Sequence, residues 1–204
     1  SFNDAKARSN AIRDAINNNR MPPFPPDENF QQYAHSRALT EAEKTIIISW
    51  IDNNSPEGNQ SLTPPPPVYS SSSILGKGDL EVKIPNYRSK ASSNDDYVCF
   101  SIPSSLTKDR KIKALEIVPG NREIVHHCLV YIDEKGTYTT DTIDGNCGGP
   151  KGGKLLMGYT PGASPLVLPN ASNLKLGMTL KAGSNIVLAM HYPYGSEGML
   201  DSTK

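Results

Sequence analysis

Apolar positions along the chain follow two different periods. Over residues 1–20, Ala5, Ile12, Ala15 and Ile16 share one face at helical spacing, interrupted by Arg8, and this predicts an amphipathic helix. Asn17-Asn18-Asn19 ends it, because asparagine tolerates left-handed cap and turn conformations. Met21-Pro22-Pro23-Phe24-Pro25-Pro26 excludes helix, since proline removes amide donors and restricts the residue before it. A second helix is predicted from Thr40, where Thr40-Glu41-Ala42-Glu43 reads as a capping box. Ile47, Trp50 and Ile51 give it an apolar face, and Asp52-Asn53-Asn54-Ser55-Pro56 stops it.

After about residue 74 the period becomes two. Leu80, Val82 and Ile84 alternate with Asp79, Glu81 and Lys83, the pattern of a half-buried strand. Tyr97 to Ile102 and Ile112 to Val118 are further β-like runs. Ile124 to Ile132 and Ile186 to Tyr192 are nearly all apolar or aromatic apart from histidine, which predicts strands buried on both faces. Pro119-Gly120, Gly148-Gly149-Pro150 and Pro161-Gly162 separate the runs. The stretch 133–173 is long, rich in Gly and Thr and poorly periodic, and reads as loops with one short strand. Many short strands between turn signals predict a mainly β fold, an antiparallel jelly-roll β-sandwich behind a small α-helical segment. The boundaries drawn are a helical part at 1–54, a Pro/Ser-rich linker at 55–75 and a β-domain at 76–204. Within the linker, Pro64 to Pro67 is extended and stiff and Ser70 to Ser73 flexible.

Composition narrows the function classes. Twenty-one Lys and Arg balance 21 Asp and Glu, so net charge gives no reason to expect nucleic acid or an anionic membrane as partner. No apolar run approaches the roughly 18 residues of a membrane helix. The chain is read as a segment of a longer protein: Ser1 falls inside the lead-in to a helix, and Lys204 follows a strand-like stretch with no closing element.

Histidine is the candidate chemistry. Of four histidines, His126, His127 and His191 lie in predicted strands, while His35 lies in a polar loop and reads as solvated. Neutral imidazole is a good ligand for copper or zinc. Adjacent strand residues point to opposite faces, so a metal held by both His126 and His127 requires strong twist or a bulge. The bland alternative is three unrelated, hydrogen-bonded strand residues. Met21, before two prolines on a loop after a helix, is a candidate axial ligand to haem iron or else a plug in a small helical core. Cys-x-x-Cys-His is absent, so this chain has no c-type haem attachment of its own. Cys128 and Cys147 can bridge the histidine strand to the following glycine-rich loop, leaving Cys99 buried or paired elsewhere; the pairing stays open. Gly-x-Ser-x-Gly, phosphate-binding and dinucleotide-binding glycine motifs and His-Glu-x-x-His are all missing.

Residues 76–204 resemble the N-terminal copper domain of the type II copper monooxygenases, the family of peptidylglycine α-hydroxylating monooxygenase and dopamine β-monooxygenase. The resemblance rests, in order, on Asp96-Tyr97-Val98-Cys99-Phe100, Val125-His126-His127-Cys128-Leu129-Val130 and Ile186-Val187-Leu188-Ala189-Met190-His191-Tyr192. The front of the chain resembles the C-terminal part of a bacterial cytochrome c domain, through the first helix, Met21-Pro22-Pro23 and the helix Leu39 to Asp52. The resemblance implies that His126, His127 and His191 hold an electron-transferring copper and that Met21 is the distal ligand of haem c. It also implies a second, oxygen-activating copper domain downstream, built on a His-x-His pattern and a methionine. This chain has no His-x-His, so alone it lacks the half that attacks a C–H bond. The implied location is secreted, periplasmic or cell-surface in a bacterium, with haem supplying electrons to copper. The alternatives are a non-catalytic extracellular β-sandwich that binds or supports something else, and a metal site with a purely structural role.

Overall fold

The computed structural model describes residues 1–22, 27, 29–31, 33, 36–65 and 73–204. The chain divides into two compact units, Ser1–Pro67 and Val68–Lys204. His35 and Ser70 to Ser72 of the expected linker lie outside the described residues, as do Pro66 and Pro67. Among the described residues, no helix is long and apolar enough to cross a membrane.

The first unit is helical. Where one helix is expected over 1–20, there are two: α1 (Phe2–Ala7) and α2 (Ser9–Asn17). They part at Arg8, whose φ of −108° and ψ of 13° leave the helical region and whose N–H is shared between the Asp4 and Ala5 carbonyls. The predicted face survives the break, with Ala5, Ile12 and Ala15 half-buried and Ile16 buried. Helix α3 (Glu41–Asp52) starts on the predicted capping box. The Glu43 N–H donates to Thr40 Oγ1 at 3.2 Å, and the Thr40 N–H donates to the Glu43 carboxylate at 2.8 Å. Helix α2 packs against α3, burying Ile16 and Ile51, while Arg13 pairs with Asp52. The Trp50 indole donates to the Pro56 carbonyl at 2.9 Å and ties down the exit of α3. A single 3-10 turn, Gln60–Leu62, follows.

The second unit is mainly β and antiparallel. Its strands are β1 (Tyr87–Arg88), β2 (Asp96–Pro103), β3 (Arg110–Ile112), β4 (Ala114–Leu115), β5 (His127–Asp133), β6 (Lys154–Tyr159), β7 (Leu166–Val167), β8 (Asn170–Ala171), β9 (Leu174–Lys175), β10 (Met178–Leu180), β11 (Asn185–Tyr192) and β12 (Leu200–Asp201). The principal sheet has the order β2-β11-β5-β6; β1-β12, β3-β10, β4-β7 and β8-β9 form two-stranded pairs. Strand β11 is paired along its length with β2 and over seven residues with β5. It is buried from Ile186 to Tyr192, which is why its sequence is an unbroken apolar run rather than an alternating one.

The two faces of this sheet bury different things. On one face Ile186, Leu188, Met190 and Tyr192 join Val98 and Phe100 of β2 and Cys128, Val130 and Ile132 of β5, packed with Ile84, Ile117 and Leu180 in the main core. On the other, Val187, Ala189 and Cys99 meet half-buried Leu129, Tyr131, Tyr138 and Cys147. The cover on this second face is the segment after β5. The Asp133 carboxylate starts its turn by accepting the N–H groups of Lys135, Thr137 and Tyr138. The segment then runs along the free edge of β2: Cys99 N–H to Asp141 O at 2.7 Å, Tyr97 N–H to Gly145 O at 2.9 Å, and Cys147 N–H to Tyr97 O at 3.0 Å. A disulfide between Cys99 and Cys147, Cα atoms 5.9 Å apart, fastens it. Gly149, at φ +94°, lets the chain close on the sheet, since a Cβ there would stand 2.9 Å from the Tyr131 ring.

Several expectations are corrected. The disulfide joins Cys99 to Cys147, not Cys128 to Cys147; Cys128 points into the main core and is free and buried. The pleat explains it: Cys128 and Leu129 face opposite ways, and only the face carrying Cys99 meets the covering segment. Leu80 to Ile84 alternates but forms no strand among these; Ile84 is buried and its N–H bonds the Thr203 carbonyl at 3.0 Å. The run Ile112 to Val118 is divided between β3 and β4, which pair with different partners. Strand β5 begins at His127 rather than Ile124, because Asn121 holds a turn, accepting the Val125 N–H at its carbonyl and the Glu123 N–H at its side chain. On its second face β5 is only half-buried. The stretch 133–173 holds three strands, β6, β7 and β8, rather than one short strand among loops. Strand β6 escapes notice because it is the outer strand of the sheet and Leu155 and Leu156 break any alternation.

Candidate metal centre

The strand register brings the distant histidines together. His191 of β11 stands opposite Tyr97 of β2 on one side and opposite His127 of β5 on the other, so these three side chains share one rung and one face. It is the second face, at the end of the row Val187, Ala189, His191. His126 arrives by a different route. It lies between the turn at 122–124 and the start of β5, yet its N–H still bonds the His191 carbonyl at 3.1 Å. The alternation of a strand does not govern it there, and its ring swings to the same side as that of His127. The difficulty of two adjacent histidines facing one point is thus met by the strand starting only at His127, which leaves His126 outside it, and not by a bulge; the irregularity that β5 has is between Val130 and Tyr131.

The geometry is convergent. The Nδ1 atoms are 3.3 Å apart for His126 and His127, 3.1 Å for His126 and His191, and 3.1 Å for His127 and His191. The rings are mutually tilted, at 63°, 76° and 58° in the same order. Such a triangle cannot be a closed hydrogen-bond network. Each contact needs one N–H and one lone pair, and an imidazole nitrogen is one or the other. Three mutual contacts therefore leave at least one with like facing like. A cation accepted by three lone pairs removes the conflict. The spacing fits one: nitrogens each about 2.0–2.1 Å from a tetrahedral ion lie about 3.3–3.4 Å apart, close to the observed edges. Among the described residues these three form the group of side chains able to hold a metal ion.

The surroundings favour a neutral imidazole at His127. Burial, then the neighbouring His191 and His126, push the His127 pKa below its ordinary value. Tyr97 lies flat on the His191 ring, with centroids 4.2 Å apart and planes 4° from parallel, and fixes its plane. Residues that histidine spacing alone does not reveal complete the site. Asp95 Oδ2 is 3.0 Å from His191 Nε2, outside the alignment of a directed hydrogen bond. Asp95 Oδ1 accepts the Tyr194 N–H at 2.8 Å. That N–H, and then His191, hold the Asp95 carboxyl below the usual range, so it is ionised at neutral pH. Nothing in the sequence alone singles out Asp95; its place two residues before Tyr97 gains meaning only once the register pairs Tyr97 with His191. His191 is 6% exposed, His127 is half-buried and His126 is exposed, so the group reaches the surface through His126.

Met21 lies apart, in the helical unit. Its N–H bonds the Ala15 carbonyl at the end of α2, and its side chain is 53% exposed. It does not plug a helical core; Ile16 and Ile51 do that. His35 lies outside the described residues.

No model of a known protein family matches the chain, and no curated protein matches it.

Proposed function

We propose that residues 76–204 are the electron-transfer copper domain of a type II copper monooxygenase, a jelly-roll sandwich in which His126, His127 and His191 hold the ion. The observation that carries this reading is the convergence of three Nδ1 atoms within 3.1–3.3 Å, in an arrangement no set of tautomers satisfies. Three imidazoles suit both Cu(I) and Cu(II), so a copper held there would supply a one-electron centre. The protein's part is rigidity and access. His127 and His191 come from paired strands, Tyr97 stacks on His191, and His126 presents the site to solvent, where an electron donor or acceptor can approach. The Cys99–Cys147 disulfide supports an oxidising location outside the cytoplasm, such as the periplasm or surface of a bacterium. In the whole protein we read α1 to α3 as the end of a cytochrome c domain with Met21 as haem ligand. A second copper domain downstream carries oxygen activation.

The test is metal content. The chain is loaded with copper, dialysed, and counted for copper and zinc by mass spectrometry beside a His126→Ala/His127→Ala variant. About one copper per chain, lost in the variant, is the expected result. Zinc retained in preference to copper overturns the redox reading and leaves a structural or Lewis-acid site. No retained metal returns the second unit to a binding or structural module.

A further inference from the structure

His191 has two ring nitrogens with different surroundings. Nδ1 belongs to the triangle. Nε2 is buried and has no aligned hydrogen-bond partner, and the carboxylate of Asp95 stands 3.0 Å from it. A neutral imidazole carries its proton on one nitrogen only, and an anion beside Nε2 draws the proton there. Nδ1 is then left as a lone pair. The carboxylate is itself held from the other side by the Tyr194 N–H at 2.8 Å, and the stacked Tyr97 ring prevents His191 from tilting away. The adjacent acid does different work: Asp96 is buried and accepts from the Tyr87 hydroxyl at 2.8 Å and the Lys90 N–H at 2.9 Å. Of the Asp95-Asp96 pair, one braces the fold and the other faces the histidines.

We infer that Asp95 is the positioning residue of the metal centre: its carboxylate keeps the proton of His191 on Nε2, presents Nδ1 to the ion, and adds one negative charge beside it. This inference rests on the metal reading above. Outer carboxylates of this kind orient the ligand ring and raise its basicity, and their loss typically costs about 10–100-fold in metal affinity. A nearby negative charge also favours the more highly charged ion, so its removal moves the Cu(II)/Cu(I) potential upward.

The experiment compares the whole chain with Asp95→Asn and Asp95→Ala. Copper affinity is read by competition with a chelator, the potential by spectroelectrochemistry, and the His191 tautomer by long-range proton–nitrogen spectra of the unloaded protein. Unloaded melting curves serve as the folding control. We expect Asp95→Ala to lose about 10–100-fold in affinity. Asp95→Asn, which keeps an acceptor but no charge, loses less, and both variants gain in potential. The unloaded wild type carries the His191 proton on Nε2, and Asp95→Ala weakens that preference. Wild-type affinity and potential in both variants overturn the inference while leaving the metal reading intact. Failure of the wild type to bind copper overturns the metal reading, and the tautomer spectra then decide the Asp95 contact alone: a proton found on Nδ1 of His191 overturns it.

Discussion

The two faces of the β2-β11-β5-β6 sheet are made from the same strands, residue by residue in alternation, and do opposite work. The face of Leu188, Met190, Val98 and Val130 is closed by apolar side chains from the rest of the unit. The face of Val187, Ala189 and His191 is closed by a covering segment held by a disulfide, backbone hydrogen bonds and one carboxylate turn, and it ends in three histidines. The comparison teaches where polar chemistry can be placed in a β fold. A rung of imidazoles at the level of Leu188 and Val130 on the first face would be surrounded by apolar side chains with nothing to offer it. At the end of the second face it has a carboxylate, a tyrosine ring and an opening to solvent.

The comparison can be broken at several points. The largest effect belongs to the first face: Leu188→Ala, at a fully buried side chain, should cost about 2–5 kcal/mol in urea unfolding. A cost below about 1 kcal/mol would mean this face is not the close-packed core described. Next comes the covering segment. Replacing both Cys99 and Cys147 with serine opens a cross-link spanning 48 residues of sequence and should cost about 2–4 kcal/mol. Faster hydrogen exchange at the Tyr97 and Cys147 amides should accompany it. Unchanged exchange would show that the edge hydrogen bonds hold the segment without the disulfide.

A smaller effect is expected at the turn that launches this segment. Asp133 is held below the ordinary carboxylate range, chiefly by the Tyr138 N–H. Its folded pKa is lowered, so its contribution is present above the unfolded value of 3.8 and is lost as pH falls through the folded one. Asp133→Asn should therefore destabilise at pH 7 by less than about 1 kcal/mol, since solvent screens this carboxylate, and the gap between variant and wild type should close in acid. A gap that persists at pH 2 would place the effect elsewhere. The smallest change in stability is expected at the exposed end: His126→Ala should stay within about 0.5 kcal/mol of wild type and still abolish copper retention. A variant that keeps its copper would remove His126 from the ligand set and leave the ion to His127, His191 and other ligands.

Much of the secondary structure was legible in the chain. The capping box at Thr40 and the apolar run of β11 depend on local hydrogen bonding and on burial, which leave direct marks on residue choice. Boundaries were less so. Arg8 splits one expected helix, Asn121 delays the start of β5, and β6 carries no alternation because its exposure follows its place at the sheet edge. Among site residues, the three histidines were visible as candidates, since few other residues in these strands are polar. Asp95 was not, because one aspartate beside another says nothing of which way each side chain turns.

By itself the sequence determined the kinds of element, the approximate places of the longer strands, and the residue types available for chemistry, because period and capping are properties of neighbours along the chain. Three things were decided only by the tertiary structure. The register that sets His191 between Tyr97 and His127, the pairing of Cys99 with Cys147, and the meeting of three Nδ1 atoms within 3.1–3.3 Å all join residues far apart in the chain. Such pairings follow from how whole faces pack: a strand shifted by one residue would turn His191 to the opposite face.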